Sequence, residues 1–144
     1  MIRIKYFCNA RHLLEELYKA RHCGLEIEGR RYGMIKRLQM FYEKGLRCVS
    51  CNRKATVAFL ESCTGESPHL GFYIKTKKDY VKMTVDHIVP TSKGGQDTIQ
   101  NMQPMCVHCN GIKGNLLGNL KNVNWLKLSK KERKQLREEL NENV

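Results

Sequence analysis

The sequence predicts an α+β fold in one compact domain with helical segments at both ends. Its 144 residues suit a single domain with a modest core. Apolar residues recur at three- and four-residue steps before residue 45 and again after residue 129, as in amphipathic helices. Strand-like runs lie between these stretches. We therefore divide the chain into an N-terminal helical segment (1–47), a central core (48–119) and a C-terminal helical extension (120–144).

The cysteines indicate a structural metal site in the core. Seven cysteines, an odd number, argue against a disulfide framework. Four of them form two Cys-x-x-Cys pairs, Cys48/Cys51 and Cys106/Cys109. Two such pairs can supply the four thiolates of a tetrahedral Zn²⁺ site. Four protein ligands leave no open coordination position, so this zinc is predicted to hold the fold and to do no chemistry.

Two helices are predicted in the N-terminal segment. Asn9 is a suitable N-cap for the first helix, which ends before Gly24. The second helix is expected from about Arg30 to Lys44, because its apolar residues share one face, and Gly45 stops it.

The core is predicted to contain strands, a loop and a helix, and the C-terminal extension a further helix. Strands are expected at 56–60, 70–74 and 82–89, followed by a loop at 91–97, a short extended piece at 98–103 and a helix at about 106–117. Ser129 and Glu132 form a capping-box pattern that opens a final helix to about Leu140. Trp125 is expected to pack this helix against the core.

The net charge of +12 indicates a polyanionic partner, most often nucleic acid. An anionic membrane surface is the weaker alternative, because the C-terminal helix carries only a thin apolar stripe, Leu136 and Leu140. No apolar run approaches the ~20 residues that cross a bilayer. The N-terminus alternates apolar and charged residues, unlike a secretory signal. We therefore expect no membrane partner.

Polar residues between the cysteine pairs form a candidate catalytic constellation. Asp86 and His87, at the end of a predicted strand, offer an oxygen ligand for a hard cation and a base that works near neutral pH. Asn110 follows a predicted zinc ligand at the start of a helix, so its amide oxygen is rigidly placed. Lys113 lies three residues later on the same helical face, which can present a metal ligand and a cation to one phosphate. An isolated Asp-His pair is usually just the polar end of a strand. Here the pair lies between two predicted zinc-binding Cys-x-x-Cys turns, which favours a catalytic role.

At these residues the sequence resembles the HNH endonucleases of the ββα-metal class. The matching elements are Asp86-His87-Ile-Val-Pro90, Gly94-Gly95, Asn101 and Cys106-x-x-Cys109-Asn110-x-x-Lys113. The resemblance covers roughly residues 46–117 and implies an HNH nuclease core with a four-cysteine zinc site. Within the family, the chain is similar to the small enzymes of phages and mobile introns. The segment 52–81 is longer than in the shortest members; we interpret it as an elaborated hairpin and assign it no function.

The resemblance implies a role for each matched residue. His87 takes the position of the general base, and Asn101 that of the residue holding the loop that carries the base. Asp86 and Asn110 take the positions that bind a catalytic Mg²⁺ or Mn²⁺. Many members have His where this chain has Asn110, which makes it a His-Asn-Asn variant, and an amide oxygen suits Mg²⁺ better than softer metals. Lys113 is expected to contact phosphate.

These features predict a metal-dependent phosphodiesterase that acts on double-stranded DNA, and the resemblance implies that the products are a 5′-phosphate and a 3′-hydroxyl. The resemblance implies a cytoplasmic location, in a bacterium or a phage-infected host cell. The basic terminal helices are expected to supply most of the affinity for DNA. A non-catalytic, zinc-stabilised nucleic-acid-binding module is the alternative from another class, and an RNA nuclease or RNA-binding factor is a third. The presence of Asp86, His87 and Asn110 together favours the enzyme.

Overall fold

The computed structural model describes residues 1–116, 123–124 and 126–142, so the predicted packing of Trp125 lies outside the described residues. In chain order the strands are β1 (Ile2–Phe7), β2 (Leu25–Ile27), β3 (Arg30–Tyr32), β4 (Val57–Ser62), β5 (His69–Lys75), β6 (Tyr80–His87) and β7 (Met102–Cys106). The helices are α1 (Ala10–Lys19), α2 (Lys36–Lys44), α3 (Val107–Lys113) and α4 (Lys130–Glu142). Within the described ranges, none of these helices combines the length and the apolar character needed to cross a membrane.

An antiparallel sheet organises the molecule. In the described residues, its five strands run in the order β1-β4-β5-β6-β7, while β2 and β3 form a separate hairpin. The main core lies between one face of the sheet and helices α1 and α2, where Leu14, Phe41 and Phe72 are buried. The rings of Phe41 in α2 and Phe72 in β5 pack edge to face, with centroids 5.5 Å apart. The predicted α+β class is confirmed.

The N-terminal segment is less helical than the sequence predicts. The first helix begins as expected, with the Asn9 side chain accepting the His12 N–H. However, β1 pairs with β4 and forms an edge of the main sheet. The second helix begins at Lys36 and not at Arg30, because residues 30–32 belong to the β2–β3 hairpin. Glu28 and Gly29 both adopt positive φ in its two-residue turn, the geometry that suits tight hairpins.

Three element limits in the second half differ from the predicted ones. Strand β6 ends at His87, two residues earlier than predicted, and the Ile88 N–H still donates to the Asn101 carbonyl just beyond the last paired residues. Strand β7 runs through Pro104, which an edge strand tolerates because a missing N–H needs no partner on its open side. Helix α3 stops at Lys113 because Gly114 adopts a positive φ of 56°.

Two other predicted features are present. The capping box at α4 forms in both directions: the Ser129 N–H donates to Glu132 Oε2 at 2.7 Å, and the Glu132 N–H donates to Ser129 Oγ at 3.2 Å. Segment 52–81 contains the β4–β5 hairpin, which forms the middle of the sheet, with Ala58 opposite Phe72 and Leu60 opposite Leu70. This segment is therefore part of the scaffold.

The paired cysteines meet in one cluster. The Sγ atoms of the four residues, Cys48, Cys51, Cys106 and Cys109, all lie within 4.8 Å of one another. The first pair occupies the turn after α2, and the second pair lies at the junction of β7 and α3. Four convergent and largely buried thiol groups are the donor set of a tetrahedral structural Zn²⁺ site, and the cluster fits that ion.

A guanidinium group supports the thiolate form of these cysteines. Arg53 Nε donates to Cys51 Sγ at 3.4 Å, and an Arg53 terminal nitrogen donates to Cys106 Sγ at 3.7 Å. Hydrogen bonds from the Cys109 and Cys48 thiols hold the pKa of Cys106 well below its ordinary value, while the same hydrogen bonding raises the pKa of Cys109. Because zinc binds thiolates, the Arg53 contacts favour the metal-binding state of Cys51 and Cys106.

Removing one ligand tests whether zinc holds the fold. Structural zinc contributes about 10–16 kcal/mol in small zinc domains, which equals or exceeds the whole stability of a typical domain. We expect Cys109→Ser to lose the bound zinc and the cooperative thermal unfolding transition, measured by metal analysis and circular dichroism. The exposed Cys23 lies outside the cluster, so Cys23→Ser is the matched control and should keep both. A cooperatively folded Cys109→Ser protein without zinc would contradict this prediction.

Candidate active site

The candidate residues are positioned by a ββα unit made of β6, β7 and α3. The two strands pair antiparallel, with Asp86 opposite Gln103 and His87 opposite Met102. Helix α3 follows β7 without a connecting loop, and its first turn carries Cys109 of the cysteine cluster. The helix packs against β6, where Asn110 contacts Thr84. The strand end and the helix therefore present their polar residues to the same region.

An open cavity of about 170 Å³ lies where these elements meet. Asp86, His87 and Asn110 all line it; the other lining residues are Val85, Pro90, Thr91, Gly114 and Asn115. A larger cavity of about 440 Å³ lies between β1, α1 and the β2–β3 hairpin, but it contains none of the candidate residues. The smaller, polar cavity is therefore the candidate site.

Each carboxylate oxygen of Asp86 has a buried partner. Asp86 Oδ1 accepts from Lys113 Nζ at 2.8 Å, and Asp86 Oδ2 accepts from Gln103 Nε2 at 2.7 Å. Lys113 Nζ also donates to the His87 carbonyl at 2.9 Å. Asp86 is 4% exposed and Lys113 is 1% exposed, so both charges are withdrawn from water and each is stabilised by the opposite charge of the other. The pairing fixes the orientation of the Asp86 carboxylate.

The predicted phosphate contact of Lys113 is wrong. Helical spacing correctly places Asn110 and Lys113 on one face of α3, but that face packs against β6. The Lys113 ammonium therefore lies against Asp86 and a backbone carbonyl, away from the surface where a phosphate could approach. Periodicity identifies which residues share a face, but it does not show what that face contacts.

The side-chain amide of Asn110 is oriented by its own NH₂ group. Its Nδ2 atom donates to Thr84 Oγ1 at 2.9 Å and to the Val85 carbonyl at 3.3 Å. The Thr84 hydroxyl donates its hydrogen to the Met105 carbonyl at 2.7 Å, so it can only accept a hydrogen bond from Asn110. This arrangement assigns the nitrogen to the strand side and leaves Oδ1 as the atom that the amide can offer to a cation.

His87 has a carboxylate partner that the sequence analysis missed. His87 Nε2 lies 3.1 Å from Asp97 Oδ1, and Lys36 Nζ donates to Asp97 Oδ2 at 2.6 Å. The hydrogen bonds from Lys36 and from His87 lower the pKa of Asp97, so it is ionised and can only accept. The hydrogen of neutral His87 therefore resides on Nε2, and Nδ1 carries the lone pair. The one sequence signal was that Asp97 is the sole acidic residue between His87 and Asn101.

Asn101 closes the loop that follows His87. Its Oδ1 accepts the Val89 N–H, and its Nδ2 donates to the carbonyls of Val89 and Gln96, each at 2.9 Å. The Asn101 carbonyl accepts the Ile88 N–H at 2.8 Å. A Cβ at Gly95 would meet the Val89 carbonyl oxygen at 1.8 Å, so only glycine fits this tight closure. The loop is thus fixed to the start of β7.

Asp86 and Asn110 offer a carboxylate and an amide oxygen to the same cavity. Both are hard donors of the kind that Mg²⁺ and Mn²⁺ prefer. A carboxylate has about four acceptor positions, so the bonds from Lys113 and Gln103 do not exhaust those of Asp86. The donor set therefore fits a divalent cation.

Comparison with known proteins identifies the ββα unit. Residues 74–116 match the family model for HNH endonuclease. The matched segment is less than a third of the chain; it runs from the end of β5 to just beyond α3 and lacks the first cysteine pair. No curated protein and no solved structure matches the chain. Residues 74–116 therefore match an HNH endonuclease domain, and the four-cysteine cluster is consistent with the zinc-containing subgroup of that family.

Proposed function

We propose that this protein is a metal-dependent endonuclease that hydrolyses phosphodiester bonds in double-stranded DNA. The observation that carries the proposal is the convergence of Asp86, His87 and Asn110 on one polar cavity within the HNH segment. The net charge of +12 supports a nucleic-acid substrate. An HNH domain in itself implies a nuclease-type function. The double-stranded DNA substrate and the roles of individual residues are part of this proposal.

In this proposal each residue has a distinct task. His87 takes a proton from the attacking water at Nδ1, since Nε2 already carries hydrogen toward Asp97. Asn101 holds the loop beyond His87. Asp86 and Asn110 would hold Mg²⁺ or Mn²⁺, which would supply charge stabilisation for the phosphate and for the leaving 3′ oxygen. The products are a 5′-phosphate and a 3′-hydroxyl.

A basic surface formed by α4 and α3 supports DNA binding. Helix α4 and helix α3 line an open groove, whose basic residues are Lys130, Arg133, Lys134 and Arg137. The Arg137 guanidinium donates to the Ile112 carbonyl, which connects α4 to the helix that carries Asn110. Cations on this surface can contact backbone phosphates of a bound nucleic acid.

One observation favours a second candidate function, a non-catalytic nucleic-acid-binding module. The buried Lys113 ammonium already neutralises Asp86, which therefore does not need a cation for electrostatic balance. In a former active site that no longer binds a metal ion, such an ion pair would still stabilise the fold. Cleavage of supercoiled plasmid by the purified, zinc-loaded protein with Mg²⁺, compared with the same protein without added Mg²⁺, distinguishes the two functions.

Replacing the proposed base tests the chemistry directly. We expect His87→Ala to lower the single-turnover nicking rate by at least ~10²-fold, because general-base catalysis contributes about that much or more. DNA binding, measured by gel shift without added Mg²⁺, should be unchanged. His22→Ala, at an exposed position beyond α1, is the control and should match the parent. A His87→Ala rate within a few-fold of the parent refutes the base assignment, and an inactive parent favours the binding module.

Replacing the proposed metal ligand should change the metal requirement and not the proton transfer. Asp86→Asn preserves the side-chain shape and an acceptor for Lys113 but leaves that buried ammonium without its counter-charge. We therefore expect stability to fall by up to about 3–5 kcal/mol, and cleavage is measured at a temperature where circular dichroism shows the variant folded. We expect its half-saturating Mn²⁺ concentration for cleavage to rise at least ~10-fold, because a carboxylate ligand has been replaced by a neutral amide. High Mn²⁺ should partly restore Asp86→Asn but not His87→Ala. An unchanged Mn²⁺ dependence in Asp86→Asn would exclude Asp86 as a ligand.

Neutralising the α4 surface should separate binding from cleavage. In the double variant Lys130→Gln/Lys134→Gln, two phosphate contacts are lost, so the slope of log K against log salt should flatten by about 1.8. The cleavage rate at saturating DNA should be unchanged. Lys77→Gln/Lys78→Gln, at the exposed β5–β6 turn, removes the same charge elsewhere and is the control. Equal weakening in both double variants would mean that α4 is not the DNA-facing surface.

A further inference from the structure

Beyond the residues of the family pattern, we infer that Asp97 is a positioning residue for His87, and that Lys36 of α2 holds Asp97 in that position. The inference rests on the proposed function, since it concerns the group proposed as the general base. It adds a carboxylate behind the histidine and makes a helix outside the matched segment part of the site.

The geometry of Asp97 connects two elements. Its Oδ1 faces His87 Nε2 at 3.1 Å, and its Oδ2 accepts from Lys36 Nζ at 2.6 Å. Lys36 Nζ also donates to the Asp97 backbone carbonyl at 2.8 Å. One ammonium therefore holds both the backbone and the side chain of Asp97, which restricts where the second carboxylate oxygen lies. That oxygen is the one at the imidazole.

Helix α2 is attached to the same stretch of chain at a second point. Lys44, its last residue, donates to the Met102 carbonyl at 2.5 Å and to the Gln100 carbonyl at 3.4 Å. Together with Lys36, this places one lysine near each end of the short segment 97–102. The helix thus holds the far end of the loop that Asn101 closes internally.

The consequence for His87 concerns its tautomer and its orientation. A carboxylate at Nε2 retains the hydrogen there and directs the lone pair of Nδ1 outward to water. Without Asp97, a neutral histidine populates both tautomers and its ring can rotate. The effect is limited in size, because the side chains of Asp97 and Lys36 are 63% and 48% exposed and solvent screens the pair. We expect a rate loss of about 10-fold, well below that caused by removing the base.

The test compares Asp97→Ala with Asp97→Asn. Asp97→Ala should lower the single-turnover rate about 10-fold, with DNA affinity in the absence of added Mg²⁺ unchanged. Asp97→Asn should recover most of the rate, because an amide oxygen still accepts from Nε2. Lys36→Met should lower the rate in the same direction. The control is Glu66→Ala, which removes an exposed carboxylate in the turn between β4 and β5 and should match the parent.

A spectroscopic readout separates this inference from the proposed function. Nitrogen-15 NMR of histidine-labelled protein should show His87 as the Nε2–H tautomer in the parent and a mixture of tautomers in Asp97→Ala, whether or not the protein cleaves DNA. An unchanged tautomer in Asp97→Ala overturns the inference even if the enzyme is active. A changed tautomer with an unchanged rate shows that the orientation does not serve catalysis and overturns it as well. Equal rates in Asp97→Ala and Asp97→Asn assign Asp97 a merely structural role, and a Lys36→Met rate equal to the parent removes Lys36 from the arrangement.

Discussion

The convergence of four thiol groups is the constraint on which the rest of the site depends. Cys51 and Cys106 are 55 positions apart in the sequence, yet their Sγ atoms lie 3.9 Å from each other. Joining the turn after α2 to the start of α3 determines where that short helix begins. With only seven residues, α3 is too short to be stable alone. Because Asn110 and Lys113 lie within one turn of Cys109, fixing the cluster also fixes both side chains against β6.

A second constraint is the buried pair formed by Asp86 and Lys113. Burying either charge alone is costly, and removing one partner from such a pair typically costs about 3–5 kcal/mol. The pair therefore couples the end of β6 to the end of α3, and Gln103 of β7 satisfies the remaining carboxylate oxygen. All three elements of the ββα unit contribute to holding one carboxylate. The Asp86 carboxylate is therefore oriented before any cation or substrate arrives, which in the proposed mechanism reduces the reorganisation that the reaction requires.

The sequence predicted those parts that local signals encode. The Asn9 cap, the Ser129–Glu132 capping box and the spacing of the cysteine pairs are short-range features, and each has its expected structure. The family pattern indicated the residues that line the cavity; their proposed roles remain predictions. The start of α2 was wrong because helical periodicity continued into the hairpin, whose Glu28-Gly29 turn overrides it.

The features that the sequence did not reveal arise from tertiary contacts. Nothing local indicates that β1 pairs with β4, since an exposed strand with alternating charges resembles a surface segment. The partner of Lys113 depends on which face of α3 meets β6, and the partner of His87 depends on how a loop of mixed polar residues closes. Asp97 is ten positions from His87 in the sequence, and only the closure by Asn101 brings the two together.

The segment that matches the HNH model is therefore not a self-sufficient structural unit. Its strand β6 is paired with β5, and Lys82 of β6 donates to Glu61 of β4 at 2.5 Å across the sheet. Glu61 is fully buried; burial raises its pKa, but hydrogen bonds from Lys82 and Tyr73 outweigh burial and the net shift is downward, so it remains a carboxylate. An isolated segment 74–116 would lose this partner, the first cysteine pair and the lysines of α2. The chemistry proposed for this short segment thus requires the part of the chain that precedes it. That part supplies the first cysteine pair of the zinc site, the buried Glu61 that pairs with Lys82, and the lysines of α2 that hold segment 97–102.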